Sequence, residues 1–377
     1  MFLLAALSIW TLMNAYVFAR LWVTPGLDGA AGHRWLVAAA LVLWSAYPLS
    51  RYLEHLHWTA LSRPMELVGA AWMGTLLLAL LAFLLVDLVT GFGWLLPRLA
   101  PPLRVAALAA TVVLSLVGLG QGLRPPAVDD IDVTVPSLPG GRDALTIVAV
   151  SDLHLGTLLG SGWVTDVVDR VNALHPDLIA VVGDLIDGNV PRVEPMVPEL
   201  RQLSAPLGVW AVTGNHEFYA GVEASVALFR EAGFTVLRDR WQEAAPGLII
   251  AGVDDLTARQ QFGLPDHAVE AALADRPPGF TVLMSHTPWS VEKASALGAG
   301  LMLSGHTHDG QIWPFGYLVA LRYPYLSGRF TAGAMTLVVG RGTGTWGPRM
   351  RLWRRSEILR VTLSRAAGTV AASPSRP

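Results

Sequence analysis

Hydrophobic residues in the first third of the chain form four long stretches instead of a one-sided helical stripe. A membrane-spanning helix needs about 20 predominantly apolar residues, and the polar face of a soluble amphipathic helix is missing here. The charged residues lie mainly between the stretches, which argues against the alternative of four buried helices in a soluble domain. The pattern predicts a membrane anchor of about four transmembrane α-helices at residues 1–122, centred on residues 1–19, 35–49, 67–86 and 105–119.

The long hydrophobic stretches end at residue 122, and the chain becomes more polar. An Arg-Pro-Pro sequence at residues 124–126 precedes a cluster of aspartates that ends at Asp132. Proline and acidic residues between two ordered regions are typical of a loop, so residues 123–144 are predicted to form a linker. Small and polar residues predominate at the C-terminal end, which predicts a disordered tail at residues 364–377.

Short apolar runs rich in β-branched residues recur between residues 145 and 363. Several are separated by segments long enough for a helix, such as residues 164–174 and 222–232. Apolar strands that alternate with helices are typical of an α/β domain whose sheets are covered on both faces. The pattern predicts strands at residues 146–150, 178–182, 208–212, 248–253, 280–284, 301–304 and 335–339.

Composition and charge narrow the function classes. The chain has 377 residues, of which 53 % are hydrophobic and 15 % are charged, whereas about 25 % are charged in an ordinary soluble domain. A net charge of −2 provides no basic field for nucleic acid. The absence of cysteine excludes disulfides, thiolate zinc sites and a cysteine nucleophile. Nothing in the sequence indicates an obligate protein partner.

Candidate metal ligands follow five of the predicted strands. The carboxyl ends of strands in an open α/β sheet form the edge at which such proteins place their sites. Asp152 and His154 lie two residues apart, and on an extended segment they would point to the same side. Each fragment alone is common on protein surfaces, but their joint occurrence predicts a metal centre with the ligands Asp152, His154, Asp184, Asn215, His286, His306 and His308.

The ligand types indicate which ions would bind. Carboxylate, amide oxygen and imidazole together suit manganese, iron or zinc better than copper or calcium. Seven ligands are too many for one ion and suit two divalent or transition metal ions that share a carboxylate. Two ions about 3.5–4 Å apart can activate a hydroxide and stabilise an in-line phosphoryl displacement.

The order of the motifs resembles that of the calcineurin-like metallophosphoesterases. The motifs are D-x-H at 152–154, G-D-x-x-D at 183–187, G-N-H-E at 214–217, S-H at 285–286 and G-H-T-H at 305–308. The segments at 252–255 and 305–312 resemble the bacterial membrane-associated branch, whose members carry transmembrane segments or a signal peptide ahead of the hydrolase. The resemblance covers residues 145–363 and implies a four-layer α/β/β/α sandwich with phosphoester hydrolase activity.

The resemblance also implies a role for each residue. Asp152, His154 and His308 would hold one ion, Asn215, His286 and His306 the other, and Asp184 would bridge them. His216 matches the family's non-ligand histidine, which donates a proton to the leaving oxygen or stabilises charge there. Asp187 matches the carboxylate that orients this histidine. A glycine that usually follows the last histidine is replaced by Asp309, which removes no ligand but changes the loop.

Two further segments invite a functional interpretation. Residues 342–347 fit G-x-G-x-x-G, but the helix and the acidic residue of a dinucleotide site do not follow, so a structural loop is predicted. The aromatic stretch at residues 311–330, which also contains Arg322 and Arg329, fits either a packed hairpin or an amphipathic lip resting in lipid headgroups.

Several alternatives for function follow from these observations. A multi-pass anchor in the cell membrane favours a lipid-linked phosphate or pyrophosphate as substrate, and soluble phosphoesters remain the alternative. A catalytically inactive membrane scaffold would lack metal, and a transporter would carry charge within its spans. Counted by arginines, the loops opposite the chain ends hold four and the loops on their own side hold three. The positive-inside rule places the loops with more arginines in the cytoplasm. By a difference of one arginine, it therefore favours a catalytic domain outside the cytoplasm.

Overall fold

The computed structural model describes residues 2–56, 58–135, 138 and 142–365. The chain forms two compact units. The helical unit consists of Met1–Arg124 together with Gln311–Gly316 and Thr345–Arg355. The sheet unit consists of Pro125–Gly310, Tyr317–Gly344 and the residues from Ser356 onward.

Four long helices dominate the helical unit, as the hydrophobic pattern predicted. Each is long and apolar enough to cross a membrane. Gly91 ends the third of these helices in the left-handed conformation that suits a glycine cap. The helices are α1 (Phe2–Trp22), α2 (Ala30–His55), α3 (Thr59–Thr90) and α4 (Ala100–Gly122).

Several charged residues near the ends of these helices are paired. Arg20 Nε lies 2.6 Å from Asp87 Oδ2, and the Tyr16 hydroxyl donates to the same carboxylate oxygen. Arg51 Nη1 lies 2.7 Å from Glu54 Oε2. Because a buried charge is costly without a partner, these pairs allow Asp87 and Glu54 to be buried between apolar helices.

Two segments from the C-terminal half complete the helical unit. Ile312, Met350 and Leu352 are buried in one apolar cluster with Leu78 of α3. The Arg351 N–H donates to the Gly118 carbonyl of α4 at 2.8 Å. The sequence assigned all of residues 145–363 to one domain, whereas the structure packs these two segments against α3 and α4.

The sheet unit contains two six-stranded sheets with the orders β1-β12-β2-β3-β4-β5 and β10-β11-β9-β8-β7-β6. Each apolar run predicted to be a strand is one. The strands of the first sheet are β1 (Ala127–Val135), β2 (Ala144–Val150), β3 (Leu178–Val182), β4 (Val209–Val212), β5 (Thr235–Val236) and β12 (Glu357–Arg365). Those of the second are β6 (Arg240–Ala245), β7 (Leu248–Gly252), β8 (Phe280–Met284), β9 (Leu301–Ser304), β10 (Gly328–Ala332) and β11 (Met335–Val339).

The helices of the sheet unit are short. The two predicted segments are found as α5 (Ser161–Asn172) and α9 (Val222–Glu231). The remaining helices are α6 (Val190–Val193), α7 (Val197–Leu200), α8 (Asn215–Ala220), α10 (Leu256–Phe262), α11 (Ala268–Leu273), α12 (Val291–Ala296) and α13 (Gly316–Ala320).

Three apolar cores make this unit a four-layer α/β/β/α sandwich. Alternate residues of β3 face opposite sides, as expected of a strand: Ile179 packs with α5 and α9, whereas Leu178 packs with the second sheet. In the second sheet, Leu283 of β8 packs with α11 and α12. Helices therefore cover the outer face of each sheet, and the inner faces form a common core.

The segment predicted to be a linker contains a strand. β1 pairs in parallel with β12 at the edge of the first sheet, and its buried residues Val133 and Val135 alternate with the exposed Thr134. The aspartates that suggested a loop lie at solvent-accessible positions of this edge strand. Of the tail predicted to be disordered, Ser364 and Arg365 belong to β12, and the remainder lies outside the described residues.

Candidate metal centre

The structure brings all seven predicted ligands together. β2, β3 and β4 are parallel neighbours in the first sheet, and β8 and β9 are parallel neighbours in the second. Their carboxyl ends therefore meet at one edge of the sandwich. The loops that begin there carry Asp152, His154, Asp184, Asn215, His286, His306 and His308.

One cluster of donor atoms consists of Asp152, His154 and His308. Nε2 of His154 lies 3.1 Å from Nε2 of His308, and the latter lies 3.3 Å from Asp152 Oδ1. All three residues are buried. Two imidazole nitrogens and a carboxylate oxygen that converge at this distance form a suitable pocket for a metal ion.

A second cluster consists of Asp184, His286 and His306. Nε2 of His286 lies 3.0 Å from Asp184 Oδ2, and Nδ1 of His306 lies 2.9 Å from Asn215 Oδ1. Asp184 Oδ2 also lies 3.9 Å from Nε2 of His154 in the first cluster. The carboxylate of Asp184 thus stands between the two clusters, where a bridging ligand would be needed.

Unsatisfied polar atoms indicate that the site fits metal ions. His286 Nε2 is buried without a hydrogen-bond partner, although Asp184 lies close to it. A buried polar atom without a partner is costly, and the cost disappears when the nitrogen coordinates a cation. The other ring nitrogen, Nδ1, faces the Val182 carbonyl at 2.8 Å and can donate to it, which leaves the Nε2 lone pair for an ion.

The backbone of the ligand loops is left-handed at five of the seven positions: Asp152, His154, Asp184, His306 and His308 have φ between 47° and 73°. Only a few per cent of non-glycine residues adopt such angles. Asp152 and His154 were predicted to lie on an extended segment, but both have a left-handed backbone. The loops place the side chains by tight turns instead.

Glycines beside the ligands allow this crowding. A Cβ atom on Gly214 would overlap the Asp184 carboxylate, and one on Gly305 would overlap the Asp152 carboxylate. Side chains at these two positions would push the carboxylates away from the imidazoles. The glycines of G-N-H-E and G-H-T-H are therefore required by the close approach of neighbouring loops.

His216 and Asp187 form a separate pair next to the clusters. His216 Nδ1 lies 3.1 Å from Asp187 Oδ1, and its ring meets that of His154 edge-on at a centroid distance of 4.6 Å. The backbone N–H of His216 donates to Asp184 Oδ1 at 2.8 Å. The predicted orienting contact between Asp187 and His216 is thus present in the structure.

The histidines differ in their protonation. Burial lowers the pKa of His154 and of His306 to about 3, so both are neutral and offer a lone pair. Burial also disfavours the charged form of His216, but the nearby carboxylates of Asp184 and Asp187 outweigh it and raise the pKa of His216 to about 9. His154 and His306 thus differ from His216 in whether they carry a proton to donate. At His286 the carboxylates of Asp184 and Asp152 also outweigh burial, and they hold its pKa well above the ordinary value.

Glu217 is a site residue to which the sequence analysis assigned no role. Its buried carboxylate accepts backbone N–H bonds from Asp184, Ile186 and Gly214 at 2.6–2.9 Å. It therefore ties the loop after β3 to the loop after β4. Glu217 is the fourth residue of G-N-H-E, which is the signal in the sequence. Two of its three partners, Asp184 and Ile186, lie 33 and 31 residues away and could not be predicted from that motif.

Tyr323 is a second such residue. Its hydroxyl lies 2.8 Å from Nε2 of His306. If His306 donates through Nε2, its Nδ1 lone pair faces Asn215 and is available to an ion, which is how a partner of a ligating histidine usually acts. The aromatic stretch at residues 311–330 contained this tyrosine, but no local pattern distinguished it from its aromatic neighbours.

The glycine-rich loop at residues 342–347 supports the first ligand loop. The N–H of Thr343 donates to the Ser151 carbonyl at 2.8 Å, and that of Gly344 donates to the Asp152 carbonyl at 3.0 Å. Arg341, which precedes this loop, forms ion pairs with Glu357 and Asp129. These contacts agree with the structural role predicted for the loop.

Comparison with known proteins defines the family. The profile of the calcineurin-like phosphoesterase family matches residues 145–310. The chain is 34 % identical over 274 residues to the uncharacterized metallophosphoesterase YkuE of Bacillus subtilis, covering 68 % of this chain and 93 % of that protein. It therefore belongs to the calcineurin-like phosphoesterase family.

The name of a relative from Danio rerio contains both the membrane and the metallophosphoesterase domain. This "transmembrane protein with metallophosphoesterase domain" is 36 % identical over 275 residues, covering 70 % of this chain and 63 % of that protein. A protein of the same name from Bos taurus is 35 % identical, with 62 % of its length covered. The chain thus spans less than two thirds of these two relatives, and the similarity is not confined to bacteria.

Proposed function

We propose that the chain is a membrane-anchored, metal-dependent phosphoester hydrolase. The observation that carries this proposal is the pair of ligand clusters that meet at Asp184. One cluster would hold an ion through Asp152, His154 and His308, and the other through Asn215, His286 and His306. The four apolar helices would anchor the hydrolase in the bilayer.

The chain's own residues have separate tasks in this reaction. Two divalent or transition metal ions would supply a water nucleophile at neutral pH and neutralise charge on the phosphoester. Asp187 contacts Nδ1 of His216 at 3.1 Å and orients the ring, and Nε2 would donate a proton to the leaving oxygen. Glu217 fixes the backbone of Asp184 and thereby keeps the bridging carboxylate in place.

Metal content and activity together test this function. The purified full-length chain is expected to contain about two transition ions and to lose activity in a chelator, with recovery on addition of manganese. Asp184→Asn should cause the largest loss of both ions, because its carboxylate stands between the clusters. Full activity without any bound metal would contradict the mechanism.

For the substrate we propose an amphiphilic phosphoester, such as a phospholipid or a lipid-linked phosphate or pyrophosphate. Residues 311–316 follow His308 closely and belong to the helical unit. Next along the chain come Tyr317, Leu318 and Leu321, which are 68 %, 57 % and 85 % exposed. Exposed apolar residues in this number suit a lipid surface, and tethering to a membrane raises the effective concentration of a lipid substrate.

We further propose that the hydrolase faces away from the cytoplasm, as the arginine count in the loops favours. Since the chain has no cysteine, a single Gly162→Cys substitution on the exposed start of α5 provides a unique label. A membrane-impermeant maleimide should label this cysteine in intact cells. Labelling only after lysis would place the hydrolase in the cytoplasm.

A further inference from the structure

Arg322 lies against an aromatic platform formed by Trp289 and Tyr323, which belong to two loops that also carry proposed ligands. Its guanidinium carbon lies 4.3 Å from the ring centroid of Trp289 and 5.8 Å from that of Tyr323. Trp289 follows His286 by three residues, and Tyr323 contacts His306 through its hydroxyl. The arginine is therefore held beside the half of the site that contains His286 and His306.

The platform itself is fixed. The Trp289 and Tyr323 rings lie 5.1 Å apart. Trp289 Nε1 donates to Thr257 Oγ1 at 3.2 Å, and Thr257 in turn contacts Thr287 at 3.1 Å. An arginine that stacks on an aromatic face loses freedom but keeps the N–H groups along its edge available.

Within the described part of the chain, Arg322 makes no ion pair with a carboxylate, so its positive charge is not neutralised there. Two other arginines of this region are engaged. Arg329 Nη1 donates to the Asp132 carbonyl at 2.8 Å, and Arg341 pairs with Glu357 and Asp129. Arg322 and Arg329 could not be distinguished from the sequence, whereas in the structure they have different contacts.

Resting on the hydrolase function proposed above, we propose that Arg322 binds a second phosphate of the substrate. The scissile phosphate would lie at the metal centre and the second one would face the guanidinium edge. Planar N–H donors match phosphate oxygens in a bidentate manner. The substrate class is thus a diphosphate, and a diphosphate carried on an apolar chain also agrees with the proposed amphiphilic substrate.

The reaction balances with water alone. The oxygen of water bonds to the terminal phosphorus, and the bond from that phosphorus to the bridging oxygen breaks. The attacking water releases one proton to the solvent, and His216 recovers its proton from the solvent after the reaction. The bridging oxygen keeps the electron pair and becomes part of the leaving monophosphate, taking a proton from His216. Arg322 would hold this leaving phosphate, whose negative charge grows as the bond breaks.

Two substrates that differ only in the second phosphate test the proposal. The full-length chain in detergent with manganese is assayed on geranyl diphosphate and geranyl phosphate. For Arg322→Gln, the ratio of kcat/KM on the diphosphate to kcat/KM on the monophosphate is expected to fall about 10- to 100-fold, the usual effect of losing one charge-assisted hydrogen bond. Arg322→Lys should fall in between, since lysine cannot form the bidentate contact.

Arg329→Gln is the matched control and should leave the ratio unchanged, because its guanidinium is already bound to the Asp132 carbonyl. A ratio that is unaffected by Arg322→Gln would overturn the inference, and so would equal losses on the two substrates. If the wild-type chain hydrolyses neither substrate nor any other phosphoester, the proposed function itself fails. Hydrolysis of both substrates with an unchanged ratio removes only the role of Arg322.

Discussion

Five of the proposed ligands have left-handed backbone angles, which cost of order 1–3 kcal/mol each for non-glycine residues. Such a conformation persists only where the surrounding structure enforces it. Here, the three N–H bonds to Glu217 and the close packing at Gly214 and Gly305 supply that enforcement. Contacts within the fold therefore hold the proposed ligands in this arrangement.

The role of His216 is tested by His216→Ala. Turnover should fall by roughly 10²–10⁴, the usual contribution of general acid catalysis, with metal content unchanged. The backbone N–H that donates to Asp184 is retained in alanine, so the bridging carboxylate keeps this contact. The measurements are kcat and metal content on the same preparation.

A substrate with a nitrophenolate leaving group serves as the control for this prediction. Such a leaving group needs no proton, so the loss caused by His216→Ala should be smaller than with an alkyl phosphoester. Loss of metal in the variant would instead make His216 a ligand. The cluster of His216 with His154 and Asp184 makes that outcome a real alternative.

At the scale of elements, α4 depends on small residues where the Thr345–Arg355 segment packs. A Cβ atom on Gly122 would overlap the Arg349 carbonyl and lie 2.8 Å from Met350 Cα. Gly122→Ala is therefore expected to destabilise the helical unit by about 1–3 kcal/mol, a common cost of overpacking. Thermal unfolding of the full-length chain in detergent measures the change.

Gly120→Ala is the matched substitution, two residues earlier on the same helix. No heavy atom lies within 4 Å of the Cβ that it would add. Alanine favours a helix over glycine by about 1 kcal/mol, so this variant should be as stable as the wild type or more so. Equal destabilisation by the two substitutions would show that α4 does not need a small residue specifically at Gly122.

The sequence predicted the elements whose own residues specify them. Fully apolar runs such as Leu178–Val182 became buried strands, and long apolar stretches became α1 to α4. Strands with mixed composition escaped prediction: β6 is a polar edge strand, and β1 and β12 alternate between buried and accessible positions. β1 and β6 are edge strands with one unpaired side, so a weak hydrophobic signal suffices for them, whereas β12 lies between β1 and β2.

The candidate site likewise contains residues that local sequence predicted and residues that it did not. Residue types and spacing predicted seven candidate ligands that the structure brings together, because coordination chemistry limits which side chains can take part. The roles of Glu217, Tyr323 and Arg322 arise from contacts between distant loops. The docking of Gln311–Gly316 onto the helical unit also depends on distant partners, such as Leu78. Local sequence patterns do not indicate which residues from distant parts of the chain will be in contact.

At the scale of the whole molecule, the proposed membrane anchor and the proposed lipid substrate belong together. We expect kcat/KM to be higher for a long-chain micellar phosphoester than for its short-chain soluble version. Tyr317→Ser and Leu321→Ser should reduce this preference, because both side chains are exposed and apolar and would contact the lipid phase. The measurement compares the two substrates with each variant.

Leu297→Ser is the control, since Leu297 is an exposed apolar residue that follows α12 instead of α13. It should leave the preference for long chains intact. If chain length has no effect and all three variants behave like the wild type, the substrate is a soluble phosphoester. The metal-dependent hydrolase function would stand in that case.

The order in which the helical unit is assembled follows from its composition. Its four helices are synthesised first, but the Thr345–Arg355 segment that packs against Gly118 and Gly122 comes about 230 residues later. At about 5–20 residues per second, the helices wait on the order of ten to fifty seconds for this segment. During that interval this contact is missing, so most of the sheet unit is synthesised before the helical unit is complete. Protease resistance of the helices in chains ending before Thr345 would measure how much the late segment contributes.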